Sequence, residues 1–165
     1  MSVTCIAPDG ARFSNSWWEW RPLARYCFAV CPTILERSNH YRRWQTNDGS
    51  ATAAEAYALG TRLEQEVLSG RCLEYLQARR RQIEAMPDEP CDLCNATGTR
   101  HHTPLTASMC ATFGGEPVEV GQSFECNACG GLGSKRPNED LYFFTVENVA
   151  AFAAFCRRSG GFEVT

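Results

Sequence analysis

The chain is expected to form a compact α+β domain of helices and short strands, with a small cysteine-pinned module inserted into it. Three observations predict this. Apolar residues recur at helical spacing in several separate segments. Short apolar–polar alternations bounded by turn residues read as strands. Two Cys-x-x-Cys pairs, Cys91/Cys94 and Cys126/Cys129, enclose a stretch rich in glycine and small polar residues.

The elements follow in order. Residues 1–16 read as a strand or irregular segment with Pro8-Asp9-Gly10 as a turn. The tryptophan-rich Trp17-Trp18-Glu19-Trp20 comes next, and Pro22 suits the first position of a helix. Leu23, Tyr26, Cys27 and Val30 form the apolar face of that helix, and Pro32 closes it. Residues 33–50 are polar and read as loop, with Asn47-Asp48-Gly49 as a turn. Thr52-x-x-Glu55 is a capping box opening a helix through Leu59, Leu63 and Val67. Ser69-Gly70 divides it from a second helix carrying Cys72, Leu73, Leu76 and Ile83, because an interior glycine costs about 1 kcal/mol.

Asp88-Glu89-Pro90 reads as a linker into the module at 91–134. Within it, residues 117–120 and Ser123-Phe124-Glu125 are expected strands. A core strand at Leu141-Tyr142-Phe143-Phe144 follows, then a helix from Val146 to Arg158 capped by Thr145. That helix presents Val149, Phe152, Ala153 and Cys156, and Ser159-Gly160-Gly161 stops it. Phe162 and Val164 are expected to add an edge strand. The organisation is thus 1–90, mainly helical; 91–134, the module; and 135–165, a strand and helix completing the main domain.

Composition narrows the function. The chain has 165 residues, 44% of them hydrophobic, enough for a core. There is no run of 18 apolar residues, so no membrane-spanning helix is expected, and residues 1–13 do not read as a signal peptide. The expected location is a cytoplasm, where ten cysteines stay reduced and serve as metal ligands, buried thiols or reactive groups. The net charge of -3 argues against a dedicated duplex-DNA binder. One of the 16 basic residues is Lys135 and the rest are Arg, a side chain suited to protein surfaces and to single-stranded nucleic acid.

Cys91, Cys94, Cys126 and Cys129 point to one structural zinc. Each pair sets two thiolates in a tight turn whose following glycines permit left-handed backbone. Four thiolates make the closed shell of a structural zinc, with an iron–sulfur cluster as the alternative. The sequences Cys91-x-x-Cys94-x-x-x-Gly98 and Cys126-x-x-Cys129-x-Gly131-x-Gly133 resemble the C-x-x-C-x-G-x-G knuckles of the zinc domain of DnaJ-type co-chaperones. The first departs from the pattern with Ala96 at the inner glycine. That family has four knuckles and two zincs, so the resemblance implies one zinc here. The family's His-Pro-Asp signature is missing, so the resemblance implies the module's fold and not the co-chaperone activity. More broadly, the tryptophan-rich start, the two-knuckle module and the Phe152–Phe162 segment look like small bacteriophage proteins. This implies an accessory protein that binds a host complex, such as an inhibitor of a CRISPR effector.

Other residues carry a functional reading beside a structural one. Pro90-Cys91-x-x-Cys94 with Cys72-Leu73-Glu74 fits part of the zinc-deaminase signature, but leaves Cys126 and Cys129 unused. Cys5, Cys27, Cys31, Cys72 and Cys156 read as core thiols, although Cys27 and Cys31 stand at helical spacing for a shared metal. His101, His102 and Cys110 read as loop residues, with replacement of a sulfur ligand as the alternative. Trp17, Trp18 and Trp20 are candidate partner contacts; alternation in a strand would expose one face of them. Arg42, Arg43, Trp44 and Arg100 combine guanidinium and aromatic groups suited to phosphate and base contact. The expected function is non-enzymatic binding of a protein or nucleoprotein complex. Single-stranded nucleic-acid binding is the second reading, and a zinc enzyme the third.

Overall fold

The computed structural model describes residues 2–35, 43–44, 49–112 and 118–165. The chain divides into two compact units: residues 1–84 with 139–165, and residues 85–138. The second is wider at both ends than the cysteines suggest.

The first unit is a two-layer α+β fold. Strands β1 (Ser2–Ile6), β2 (Arg12–Ser16), β3 (Gly49–Ala51) and β8 (Phe162–Val164) form one antiparallel sheet in the order β2-β1-β8-β3. Cys5 pairs with Val164 and Ala51 with Phe162. Strand β8 is therefore central, not the expected edge. Its alternation carries Phe162 and Val164 into the core and leaves Glu163 in solvent. Val3 and Cys5 enter the same core.

The helices of this unit are α1 (Trp17–Val30), α2 (Pro32–Leu35), α3 (Ala53–Leu68), α4 (Arg71–Glu84) and α6 (Val146–Arg158). Helices α3 and α6 approach closely at Gly60. A Cβ there would lie 2.7 Å from the Ala153 carbonyl oxygen, so only glycine fits without a shift. Thr52 and Glu55 form the expected capping box, and Thr145 caps α6 as expected. The break at Ser69-Gly70 divides α3 from α4, as expected.

Helix α1 corrects the expected start. It opens at Trp17, not Pro22, because Ser16 and Glu19 form a second capping box. Pro22 consequently lies inside the helix. The segment at residues 141–144 is not a strand. A 3₁₀ turn over Asn138–Leu141 leads into irregular chain, in which Phe144 is buried and Phe143 is exposed. Of the expected 33–50 loop, α2 and β3 are helical and extended, and Asn47 and Asp48 lie outside the described residues.

The second unit holds β4 (Glu89–Pro90) paired with β7 (Ser134–Lys135), β5 (Thr99–His101) paired with β6 (Ser123–Glu125), and α5 (Pro104–Thr112). Glu89 and Pro90 are thus part of the module, because they pair with the strand that leaves the second knuckle. Val118, Glu119 and Val120 form no strand, and Pro117 lies outside the described residues. No helix among the described residues is long and apolar enough to cross a membrane.

Candidate metal centre

The four expected cysteines meet. Their sulfurs all lie within 4.8 Å of one another, and all four side chains are buried. Cys91 Sγ is 3.9 Å from Cys126 Sγ, and Cys94 Sγ is 3.8 Å from Cys129 Sγ. This quartet can hold a metal ion. It is also the only cluster of buried hydrophobic residues of the second unit among the described residues.

Local backbone chemistry explains the geometry. The backbone and sulfur hydrogen bonds of the first knuckle recur 35 residues later. The amide of Cys91 donates to Gly133 O at 2.8 Å, and that of Cys126 to Gly98 O at 2.9 Å. The amide of Gly98 donates to Cys94 Sγ, and that of Gly133 to Cys129 Sγ, each at 3.3 Å. Each amide thus aims a donor at one sulfur of the quartet. The glycines are steric requirements as well. A Cβ on Gly98 would lie 2.1 Å from Gly131 O, and one on Gly133 would lie 2.4 Å from Ala96 O. The turns need left-handed backbone, which Gly130 and Gly131 supply in the second knuckle. In the first, Asn95 and Ala96 adopt it at φ 50° and 62°, so the departure from the glycine pattern is accommodated as strain.

Lys135 Nζ bridges to Asp92 Oδ1 at 2.6 Å, tying the chain after the second knuckle to the first. The ammonium holds the Asp92 carboxyl below the usual carboxylate range. Sequence reasoning missed this pair. The lone lysine was the available signal.

The neighbouring candidates stand outside the quartet. His101 Nδ1 lies 3.2 Å from Gly121 O, and the His102 ring packs on Phe124 with centroids 4.3 Å apart. Cys110 is partly buried on α5 and stands outside the quartet. Cys72 is buried in the first unit's core and is not among the four clustered sulfurs. Cys5, Cys27, Cys31 and Cys156 are core thiols as expected, and burial pushes Cys31 up to about 11.

The aromatic candidates separate. Trp20 and Trp44 are 0% exposed and stack with centroids 5.6 Å apart, so they are core and not partner contacts. Trp20 Nε1 donates to Trp44 O at 2.8 Å, and Phe152 and Phe162 close around them. Trp17 is half-buried, its ring 4.5 Å beneath the Arg21 guanidinium. Trp18 is 43% exposed and packs on Tyr142 at 5.3 Å. Arg43 is exposed, and Arg42 lies outside the described residues. Arg100 is half-buried, with its guanidinium 5.6 Å over Phe124.

Sequence reasoning also missed Arg21, whose Nη1 donates to the Tyr142 hydroxyl at 2.6 Å. It missed Phe143, 60% exposed beside Trp18. A third omission is Glu66, 3% exposed and held by Arg62 and Arg71 at 2.9 Å each. The Arg71 hydrogen bonds hold its carboxyl below the usual range against the opposing effect of burial. Tyr26 O–H also donates to it, at 3.3 Å.

Comparison of the chain with protein-family models, with curated proteins and with solved structures finds no match.

Proposed function

We propose that this is a non-enzymatic binding protein whose second unit is built on one structural zinc. The observation that carries the binding reading is the exposed aromatic face of the first unit. Trp18, Leu141 and Phe143 present apolar surface there beside Arg21 and Tyr142. Exposed aromatics near arginine have the composition of partner hot spots.

The metal assignment rests on sulfur spacing. Zinc–thiolate bonds of about 2.3 Å at tetrahedral angles set sulfurs about 3.8 Å apart, close to the 3.8 and 3.9 Å separations here. Soft thiolate ligands suit zinc better than hard cations. Four protein ligands leave no position for a substrate or an activated water, which supports a structural role over a deaminase-like one. The resemblance to DnaJ-type knuckles supports the same role. The resemblance to small bacteriophage proteins supports a partner within a bacterial cytoplasm, a CRISPR effector complex among the candidates.

Tagged protein incubated in bacterial lysate, with and without nuclease, tests the reading. A defined protein complex surviving nuclease is the expected result, together with one zinc per chain by elemental analysis. Capture lost with nuclease would overturn it. That outcome belongs to the second reading, single-stranded nucleic-acid binding, which Arg100 and His102 against Phe124 favour. Such binding would fall steeply with salt.

A further inference from the structure

Helix α4 is thinly covered. Cys72 is its one buried residue, and Tyr75, Leu76, Arg79 and Ile83 are half-buried along the same side. Opposite them runs the irregular chain of Tyr142, Phe143 and Phe144. A groove of about 270 Å³ lies between the two. That is smaller than most small-molecule pockets and suits one or two inserted side chains.

The groove has an apolar floor and a positive rim. Leu76, Ile83 and Phe144 supply the floor, and Phe143 stands exposed at the lip. Arg79 is fixed in the wall: its Nη2 donates to the carbonyls of Glu139 and Tyr142 at 3.2 and 3.4 Å. Arg80 also lines the groove, is exposed, and makes no ion pair among the described residues. Two guanidiniums beside an apolar slot match a carboxylate next to an apolar anchor.

Resting on the binding reading above, the geometry points to this groove as the docking site for an acidic peptide segment of the partner: an aromatic or aliphatic side chain enters between α4 and Phe143, and a flanking carboxylate meets Arg80. Charge complementarity selects this occupant. A nucleic-acid strand needs a basic track along its backbone, whereas the first unit's charges balance, with 13 Arg against 13 Asp and Glu over residues 1–84 and 139–165.

Fluorescence anisotropy on the full, zinc-loaded chain tests it. The probes are a fluorescein-labelled twelve-residue peptide with Asp and Glu flanking a central Phe-Leu pair, the same peptide with Lys in place of the acids, and a dT12 oligonucleotide. The acidic peptide is expected to bind at least tenfold more tightly than either control. Arg80→Glu and Phe143→Ala, both at exposed positions, should each weaken it at least fivefold. Arg81→Glu, outside the groove, should change it less than twofold. Equal binding to wild type and Arg80→Glu, or preference for dT12, overturns the inference. So do amide shifts of the wild-type protein that fall away from Leu76, Ile83 and Phe143 on titration. The two readings fail separately. If the Arg80→Glu/Phe143→Ala double variant still captures a nuclease-resistant complex, the groove is wrong and the binding function stands. If the acidic peptide seats in the groove while wild type captures no complex, the groove stands and the broader reading falls.

Discussion

The backbone amide of Phe143 donates to the carbonyl oxygen of Trp18 at 3.1 Å. In an unbroken helix that carbonyl would accept from residue 22, four positions on. Residue 22 is proline and has no N–H to give. The vacancy in α1 is thus where the irregular segment docks, and the exposed Phe143 ring is positioned by it.

Pro22→Ala should therefore loosen Phe143. The new amide competes for Trp18 O, and α1 gains one internal bond. Hydrogen exchange at the Phe143 amide should speed up at least tenfold while the α1 amides stay protected. An unchanged Phe143 rate would show that side-chain packing alone holds the segment.

The two first-unit tryptophan classes should respond oppositely to truncation. Trp44→Ala empties a fully buried site against Trp20, Phe152 and Phe162 and should cost about 4 kcal/mol in urea unfolding. Trp18→Ala removes a ring that is 43% exposed and should cost less, about 1 kcal/mol, while reducing partner capture. A stability loss at Trp18 equal to that at Trp44 would refute this division.

Left-handed backbone at Ala96 gives a stabilising substitution. Ala96→Gly relieves the strain of φ 62° and should raise stability by about 0.5–1 kcal/mol, after the added chain entropy of glycine. Gly98→Ala places a methyl against Gly131 O and should cost about 3 kcal/mol. Chelator competition at equilibrium reads both, and equal metal retention in the two variants would contradict the steric argument.

Chelation should unfold the second unit selectively. Its buried hydrophobic cluster among the described residues is the sulfur quartet itself, so metal binding and folding are coupled there. Amides of β5 and β6 should lose protection on metal removal, whereas those of β1 and β8, in the separate aromatic core, should keep it. Retained protection in β5 and β6 after verified metal loss would end this account.

Acid should act through Glu66. Its folded pKa is lowered, first by hydrogen bonding to Arg71 and also by the Arg62 charge. A depressed carboxyl contributes stability that is present above its unfolded value of about 4.3 and lost as pH falls through the lower folded value. Glu66→Gln should cost about 2 kcal/mol at pH 7 and flatten the decline in Tm below about pH 4.5. A wild-type slope in the variant would assign the acid sensitivity elsewhere.

The parts of this structure readable from sequence were those written locally. Cys91, Cys94, Cys126 and Cys129 stand in spacings that dictate a turn, and the structure brings them together. Thr52 and Glu55 gave the start of α3 by the same logic. Ser16 and Glu19 carry an identical signal, yet Pro22 argued for a later start. The conflict is resolved by Phe143, 121 residues away, which takes up the carbonyl that the proline leaves free. The burial of Trp20 and Trp44 was likewise invisible, because their partners Phe152 and Phe162 come from the far end of the chain. The central place of β8 depends on pairing Val164 with Cys5, a closure that no local window contains.

Lys135 carries the one side-chain amine of this protein, and that amine is engaged by Asp92 beside the first knuckle. Among side chains, acylating dyes and succinimide-ester surfaces therefore have a single address, and it sits at the sulfur quartet. Conjugation there removes the positive partner of Asp92, so a labelled sample reports on a perturbed module. Attachment through an introduced surface cysteine would compete with Cys110, the one native thiol that is not buried. A genetically encoded tag is the handle that leaves both units intact.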